Sequence, residues 1–252
     1  MNQSSFTVLF MMGVTAVFIA LLAILNTVTQ PRIQINQTVQ ESKSILYAFG
    51  ILPEGVEESK IPPTATTTDL PWDETRLLKK IQTALTPVPL PVPDQARTWL
   101  SGTMLSPGDT ATVYVQYASD DSIRAYGFYL RGKGLWGTIQ AFMAVNAGFT
   151  RAVGIDFTEQ VETPGLGARI AEQEFKSHFR NLNINGVCRF ASNGLEMVRN
   201  KEVPNRIKST NQLEAVTGAT LTSNGVLNML ESDLRFYYNL VQANQDLLYS
   251  QN

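Results

Sequence analysis

The chain has 252 residues, 44% of them apolar and 17% charged, enough for at least one globular domain with a sizeable core, which excludes disorder throughout. Its 20 Lys and Arg nearly balance 22 Asp and Glu with no long basic run, so the footprint of a nucleic-acid binder is missing and no nucleic-acid partner is expected. One cysteine, Cys188, and one histidine, His178, exclude an intramolecular disulfide and a Cys/His metal centre, so no metal site is expected.

No charged side chain lies between Met1 and Pro31, and Phe6 to Leu25 is an apolar block of 20 residues. At about 1.5 Å per residue it covers roughly 30 Å, the thickness of a bilayer's hydrocarbon core. A retained single span fits better than a cleaved signal peptide, which needs a basic n-region and a small-x-small cleavage site, or than a buried soluble helix. Arg32 and Lys43 follow the span and nothing basic precedes it, which leans toward a cytoplasmic C-terminal domain.

Residues 1–31 therefore read as an anchor, 32–107 as a helical and Pro-rich linker region, and 108–252 as the folded domain. Ile33, Val39, Ile45, Leu46 and Phe49 predict a helix that continues the span. The prolines of 61–71 and 86–94 read as linkers, because missing N–H groups and fixed φ oppose regular elements. Between them, Leu77, Leu78, Ile81 and Leu85 predict a short amphipathic helix with Asp73 and Glu74 in its first turn. From Thr110 onward, β-branched and aromatic runs (TATVYVQYA, SIRAYGFYL, TIQAFMAVN, FTRAVGIDFTEQ) separated by turn signals predict an antiparallel sheet. A helix over 171–182 would bring Phe175, Phe179 and Leu182 to one face; strands follow at 186–191 and 195–199, then a last helix over 223–243. The class is α+β, an antiparallel sheet packed with helices behind a transmembrane helix.

Three motifs could carry chemistry. GKGLWG (132–137) fits GxGxxG with Asp156 nearly 20 residues on, the spacing of a dinucleotide site. The alternation of Ile139, Ala141, Met143 and Val145 directly after it suits a hairpin better than a crossover helix. The glycines then shape a bend, and Trp136 serves as core or as ligand contact. TEQVETPGLGARI (158–170) is a turn-rich loop in which Gly165 and Gly167 allow close approach, Leu166 offers an apolar face, and Glu162 and Thr163 offer polar contacts. A plain connecting loop has the same look. EAVTGATLTSNGV (214–226) crowds Thr217, Thr220, Thr222 and Ser223 around Gly218 at the start of the last helix, where unpaired N–H groups favour an anion and Thr222 or Ser223 would supply an N-cap. No GxSxG elbow supports a triad around the single histidine; any chemistry needs a borrowed cofactor, and no catalytic residue is assigned. His178 reads as a helix-packing residue and Cys188 as a small buried apolar one.

TGATLTSNGV resembles the flavinylation motif S/T-G-A-T-x-T/S, and ETPGLG resembles the second signature of the same FMN-binding domain. The family comprises NqrC, from the Na⁺-translocating NADH:quinone reductase (Nqr), and RnfG, from the related Rnf ferredoxin:NAD⁺ complex. The resemblance implies FMN joined through its phosphate to Thr220, with Thr217, Gly218, Ala219, Leu221, Thr222, Trp136, Glu162, Thr163, Gly165, Leu166 and Gly167 around it. It implies an electron carrier in a membrane ion-translocating complex, matured by a separate flavin transferase, with other membrane subunits as partners. It also implies a domain on the periplasmic side of a bacterial inner membrane, against the charge reading. The family's motif has Asp six residues before the threonine; here that position is Glu214, one methylene longer, which leaves open a membrane-anchored scaffold protein with a vestigial flavin site. A soluble nicotinamide enzyme using GKGLWG is the third alternative.

Overall fold

The computed structural model describes residues 3–94, 96, 106, 108–189, 194–198 and 211–249. Helix α1 (Gln3–Ala48) runs through Pro31 without a break, and the chain divides into two units, Met1–Val39 and Gln40–Asn252. In the first unit the large apolar side chains from Val8 to Leu25 are exposed. This is the one helix among the described residues that is long and apolar enough to cross a membrane. The hydroxyls of Thr15, Thr27 and Thr29 donate to the carbonyls four residues back at 2.8–2.9 Å, so they need no water. A helix apolar on every side has no stable place in water and requires lipid or partner helices.

The second unit is built on a five-stranded antiparallel sheet in sequence order: β1 (Thr86–Pro91), β2 (Thr110–Tyr117), β3 (Ile123–Lys133), β4 (Thr138–Asn146) and β5 (Ala152–Glu159). The expected alternation sends Ile139, Ala141, Met143 and Val145 into one core, with Phe128 and Leu130. Helix α5 (Thr220–Ala243) contributes Val226, Met229, Leu230, Leu234 and Leu240 to the same core. The opposite face carries Phe142, whose ring centre lies 5.0–6.1 Å from those of Tyr129, Tyr114 and Phe49. Gly127 makes room there, since a Cβ would lie 2.6 Å from the Phe49 ring.

The structure departs from the sequence reading in four places. The 86–94 stretch, expected as linker, holds edge strand β1. Its prolines, 87, 89 and 91, occupy every second position, so the missing N–H groups fall on the open edge while buried Val88 and Leu90 keep the register with β2. The helix expected over 171–182 shortens to a 3₁₀ turn (Gly167–Ala171) and α3 (Gln173–Ser177), although Phe175, Phe179 and Leu182 all remain buried. Helix α4 (Asn185–Cys188) stands at the start of the expected 186–191 strand, whose end lies outside the described residues. The next strand, β6 (Glu196–Val198), pairs in parallel with an unforeseen β7 (Gln212–Glu214). Helix α2 (Glu74–Ala84) forms as expected, its N-terminus capped by Asp73, which accepts the Arg76 N–H at 2.9 Å. Cys188 is fully buried, and burial pushes its thiol up to about 12, which makes it inert.

Asp233 lies on α5 and is 3% exposed, its carboxylate accepting the Arg131 N–H at 2.8 Å; burial raises its pKa from 3.8 to about 6. A raised carboxyl pKa stabilises the fold below the unfolded value and loses that contribution as pH rises through the folded one. Asp233→Asn keeps an acceptor for Arg131 and removes the charge. Its stability should no longer fall between pH 4 and 7, and at pH 8 it should exceed the wild type by on the order of 2 kcal/mol in urea titrations. Parallel pH profiles for the two proteins would contradict this account.

Candidate functional site

Lys133 pairs with Thr138, and the Gly134 N–H donates to the Gly137 carbonyl at 2.8 Å, so GKGLWG closes a β3–β4 hairpin. No crossover helix follows, and Asp156 is 3% exposed in an ion pair with Lys176 at 2.7 Å, unable to face a ribose. The dinucleotide reading falls with both observations. In the 158–170 loop, Leu166 and Ala168 N–H groups both donate to the Thr163 carbonyl at 3.1 Å, and Gly165 takes φ +75° to turn the chain.

The third segment is the start of α5. The helix begins at Thr220, three residues earlier than expected, after an Ala219 N-cap with no side-chain bond. Neither Thr222 nor Ser223 is the cap: the Thr222 hydroxyl donates to Glu162 at 2.6 Å, and the Ser223 hydroxyl accepts the Val216 N–H at 3.1 Å. The backbone N–H groups of Thr220, Leu221 and Thr222 have no acceptor among the described residues, which leaves the positive end of a 24-residue helix open. Thr217, Gly218 and Thr220 are exposed, whereas Thr222 is buried.

Glu162 ties the three segments together. Its side chain is buried; Oε1 accepts the Trp136 N–H at 3.0 Å and Oε2 accepts the Thr222 hydroxyl. Gly134 and Gly167 are required beside it, because a Cβ at either would lie 2.4 Å or 2.8 Å from its carboxylate oxygens. Trp136 Nε1 donates to the Thr163 hydroxyl at 3.1 Å, and Leu166 reaches to 3.1 Å from the position a Gly218 Cβ would take. The carboxylate expected at a ligand's polar edge is thus engaged inward. Glu162→Gln would set an amide N–H₂ against one of the two donors. A loss of about 1–3 kcal/mol in urea midpoint analysis is expected, with faster hydrogen exchange at the Trp136 amide. Unchanged exchange would mean that the carboxylate does not hold the turn.

Around the exposed Thr220 stand Leu135, Trp136, Val161, Leu166 and Leu221, each 44–68% exposed. Val161 and Leu135 were not foreseen; lone apolar residues in a loop carry no signal until folding sets them beside Trp136. Large apolar side chains gathered on a surface mark a place where something apolar sits. Next to Thr217 a cavity of about 60 Å³ is lined by Arg169, Glu174, His178 and Glu214, with Glu214 Oε2 3.6 Å from His178 Nε2. Glu214, the residue that stands where the motif has Asp, thus lines this cavity.

These features fit a flavin mononucleotide. Open N–H groups suit the phosphate, the exposed apolar rim suits a flat tricycle, and an accessible hydroxyl stands between them. The sequence profile of the FMN-binding domain family matches residues 134–235. The NqrC protein of the Na⁺-translocating NADH-quinone reductase from Chlamydia pneumoniae is 32% identical over 130 residues, covering 48% of this chain and 41% of that protein. NqrC from Vibrio vulnificus is 31% identical over 123 residues, covering 49% and 46%. The chain thus spans less than half the length of these curated relatives. Two crystal structures share the fold: NqrC from Parabacteroides distasonis (TM-score 0.54, 19% identity, 87% of this chain and 96% of that one) and NqrC from Shewanella oneidensis (0.57, 16%, 85% and 97%). Fold and site together define an α+β FMN-binding domain behind an apolar helix. Within that class, residues 134–235 match the FMN-binding domain family, and the chain is similar to NqrC proteins of the Na⁺-translocating NADH-quinone reductase.

Proposed function

We propose that this chain carries FMN as a phosphoester on Thr220 and serves as an electron-transferring subunit of a membrane ion-translocating NADH:quinone reductase. The observation that carries the reading is the placement of Thr220: an exposed hydroxyl at the first residue of α5, beside unpartnered N–H groups and an exposed apolar rim. When bound, FMN supplies reversible electron uptake and release. The chain's own residues hold it. The open α5 terminus faces the phosphate, which as a diester keeps about one negative charge. Trp136 and Leu166 offer the apolar seat, and Thr163 and the loop amides offer polar contacts. A covalent tether keeps the cofactor local without binding affinity.

The partners in this reading are the other membrane subunits of an Nqr-type complex, or of the related Rnf type, and a flavin transferase that modifies Thr220. The domain stands on the periplasmic side, anchored by α1. Intact-mass measurement on the chain co-expressed with a flavin transferase tests the attachment: the expected result is an adduct of FMN minus water. A chain that accumulates in the membrane with no adduct overturns it in favour of a scaffold protein, the reading that Glu214 in place of Asp would favour.

A further inference from the structure

Away from the flavin site, the segments around α2 enclose a groove of about 430 Å³, a volume in the range of small-ligand sites. Its floor is Pro53, Pro71 and Trp72, and one wall is a single face of α2, where Arg76, Lys79, Lys80 and Thr83 follow one another at i, i+3, i+4 and i+7. The opposite face of α2 sends Leu77 into the core. Two acids are close by, and both are engaged: Glu54 pairs with Arg76 at 2.9 Å, and Asp73 caps the helix. The ammonium groups of Lys79 and Lys80 have no hydrogen bond or ion pair among the described residues. Like charges three and four residues apart repel, so folding alone does not favour this face. The Trp72 indole Nε1, itself buried, also lacks an acceptor among the described residues.

Two lysines without an ion pair, beside an apolar, tryptophan-bearing floor, match a ligand with an anionic head and an apolar body. The chain as a whole is slightly acidic, with a net charge of −2, so this cluster does not reflect a basic composition. The same chain carries a helix apolar enough to enter a membrane, so anionic lipid headgroups are among the anions this chain can meet. We propose that the α2 groove binds the headgroup of an anionic phospholipid, with Lys79 and Lys80 on the phosphate and the aliphatic lysine stems and Trp72 at the acyl boundary. This contact would hold the domain against the bilayer independently of the flavin.

The test uses the full-length chain in nanodiscs of phosphatidylcholine alone or with phosphatidylglycerol added. Acetylation of lysines is followed by peptide mass spectrometry, with exposed Lys133 at the flavin site as internal reference. Phosphatidylglycerol should slow labelling of Lys79 and Lys80 several-fold relative to Lys133, and high salt should reverse the protection. A blue shift of Trp72 emission should accompany it, read as the difference from Trp72→Phe, and should vanish in the Lys79→Gln/Lys80→Gln double variant, whose changes lie on an exposed face. Equal labelling in both nanodiscs overturns the proposal. Equal protection by inorganic phosphate without phosphatidylglycerol overturns the lipid assignment and leaves a free-phosphate groove.

Discussion

Thr220→Ala should abolish the covalent flavin completely: no ultraviolet-excited fluorescent band on a denaturing gel and no FMN adduct by mass, in a protein that still accumulates and folds. The side chain is exposed and has no partner among the described residues, so its loss removes no packing and no internal hydrogen bond. The neighbouring hydroxyls cannot substitute for it. Thr222 is 1% exposed and committed to Glu162, and the Ser223 hydroxyl is fully buried against the Val216 N–H. Thr217 is accessible but lies before Gly218, whose φ of +81° turns the chain ahead of the open helix end. Thr217→Ala should therefore retain the adduct. Thr222→Ala should also retain it at lower stability, because it leaves the Glu162 carboxylate short of a donor. A fluorescent Thr220→Ala band, or loss of the adduct in Thr217→Ala with Thr220 intact, would refute the assignment.

The order in which these features can be read from the chain follows the range of the forces involved. Strands β2 to β5 and helix α5 announce themselves through local alternation and helical periodicity, because each buries one face against a common core. Strand β1 hides because proline is a local signal against a strand. What permits it is the position of the strand at the sheet edge, a property of the whole sheet. The proposed attachment threonine was legible from a contiguous motif that resembles a known one. The function of Glu162 as the tie between hairpin and helix was not, since its partners lie 26 and 60 residues away. Asp156 shows the same limit from the other side: its spacing from GKGLWG suggested a ribose ligand, and only the fold brings Lys176 and Thr67 to it.

Lys176→Met should cost about 3–5 kcal/mol of stability at pH 7, the loss expected when one member of a buried ion pair is removed. Lys176 Nζ donates to Asp156 Oδ1 at 2.7 Å and to the Thr67 hydroxyl at 2.6 Å, and it lies 4.3 Å from the centre of the Tyr47 ring. The side chains of Lys176 and Asp156 are only 1% and 4% exposed, and burial holds the lysine below its ordinary pKa despite the facing carboxylate. Methionine fills the same space but leaves Asp156 charged in a site with one hydroxyl donor, Thr67. Adding Asp156→Leu to Lys176→Met should restore most of the loss at pH 7, because an apolar pair of similar size needs no desolvation of charge. The same cluster fastens the C-terminal end of α1 to the sheet: Arg180 donates to the Tyr47 and Ala48 carbonyls and to the Val153 carbonyl at 2.7–3.2 Å, and Tyr47 donates to Gln173. The single variant should consequently show faster hydrogen exchange at residues 47–50 than at the α5 core. A Lys176→Met protein with wild-type urea midpoint at pH 7, or a double variant no better than the single one, would show that the buried charges are not what holds that end of the helix in place.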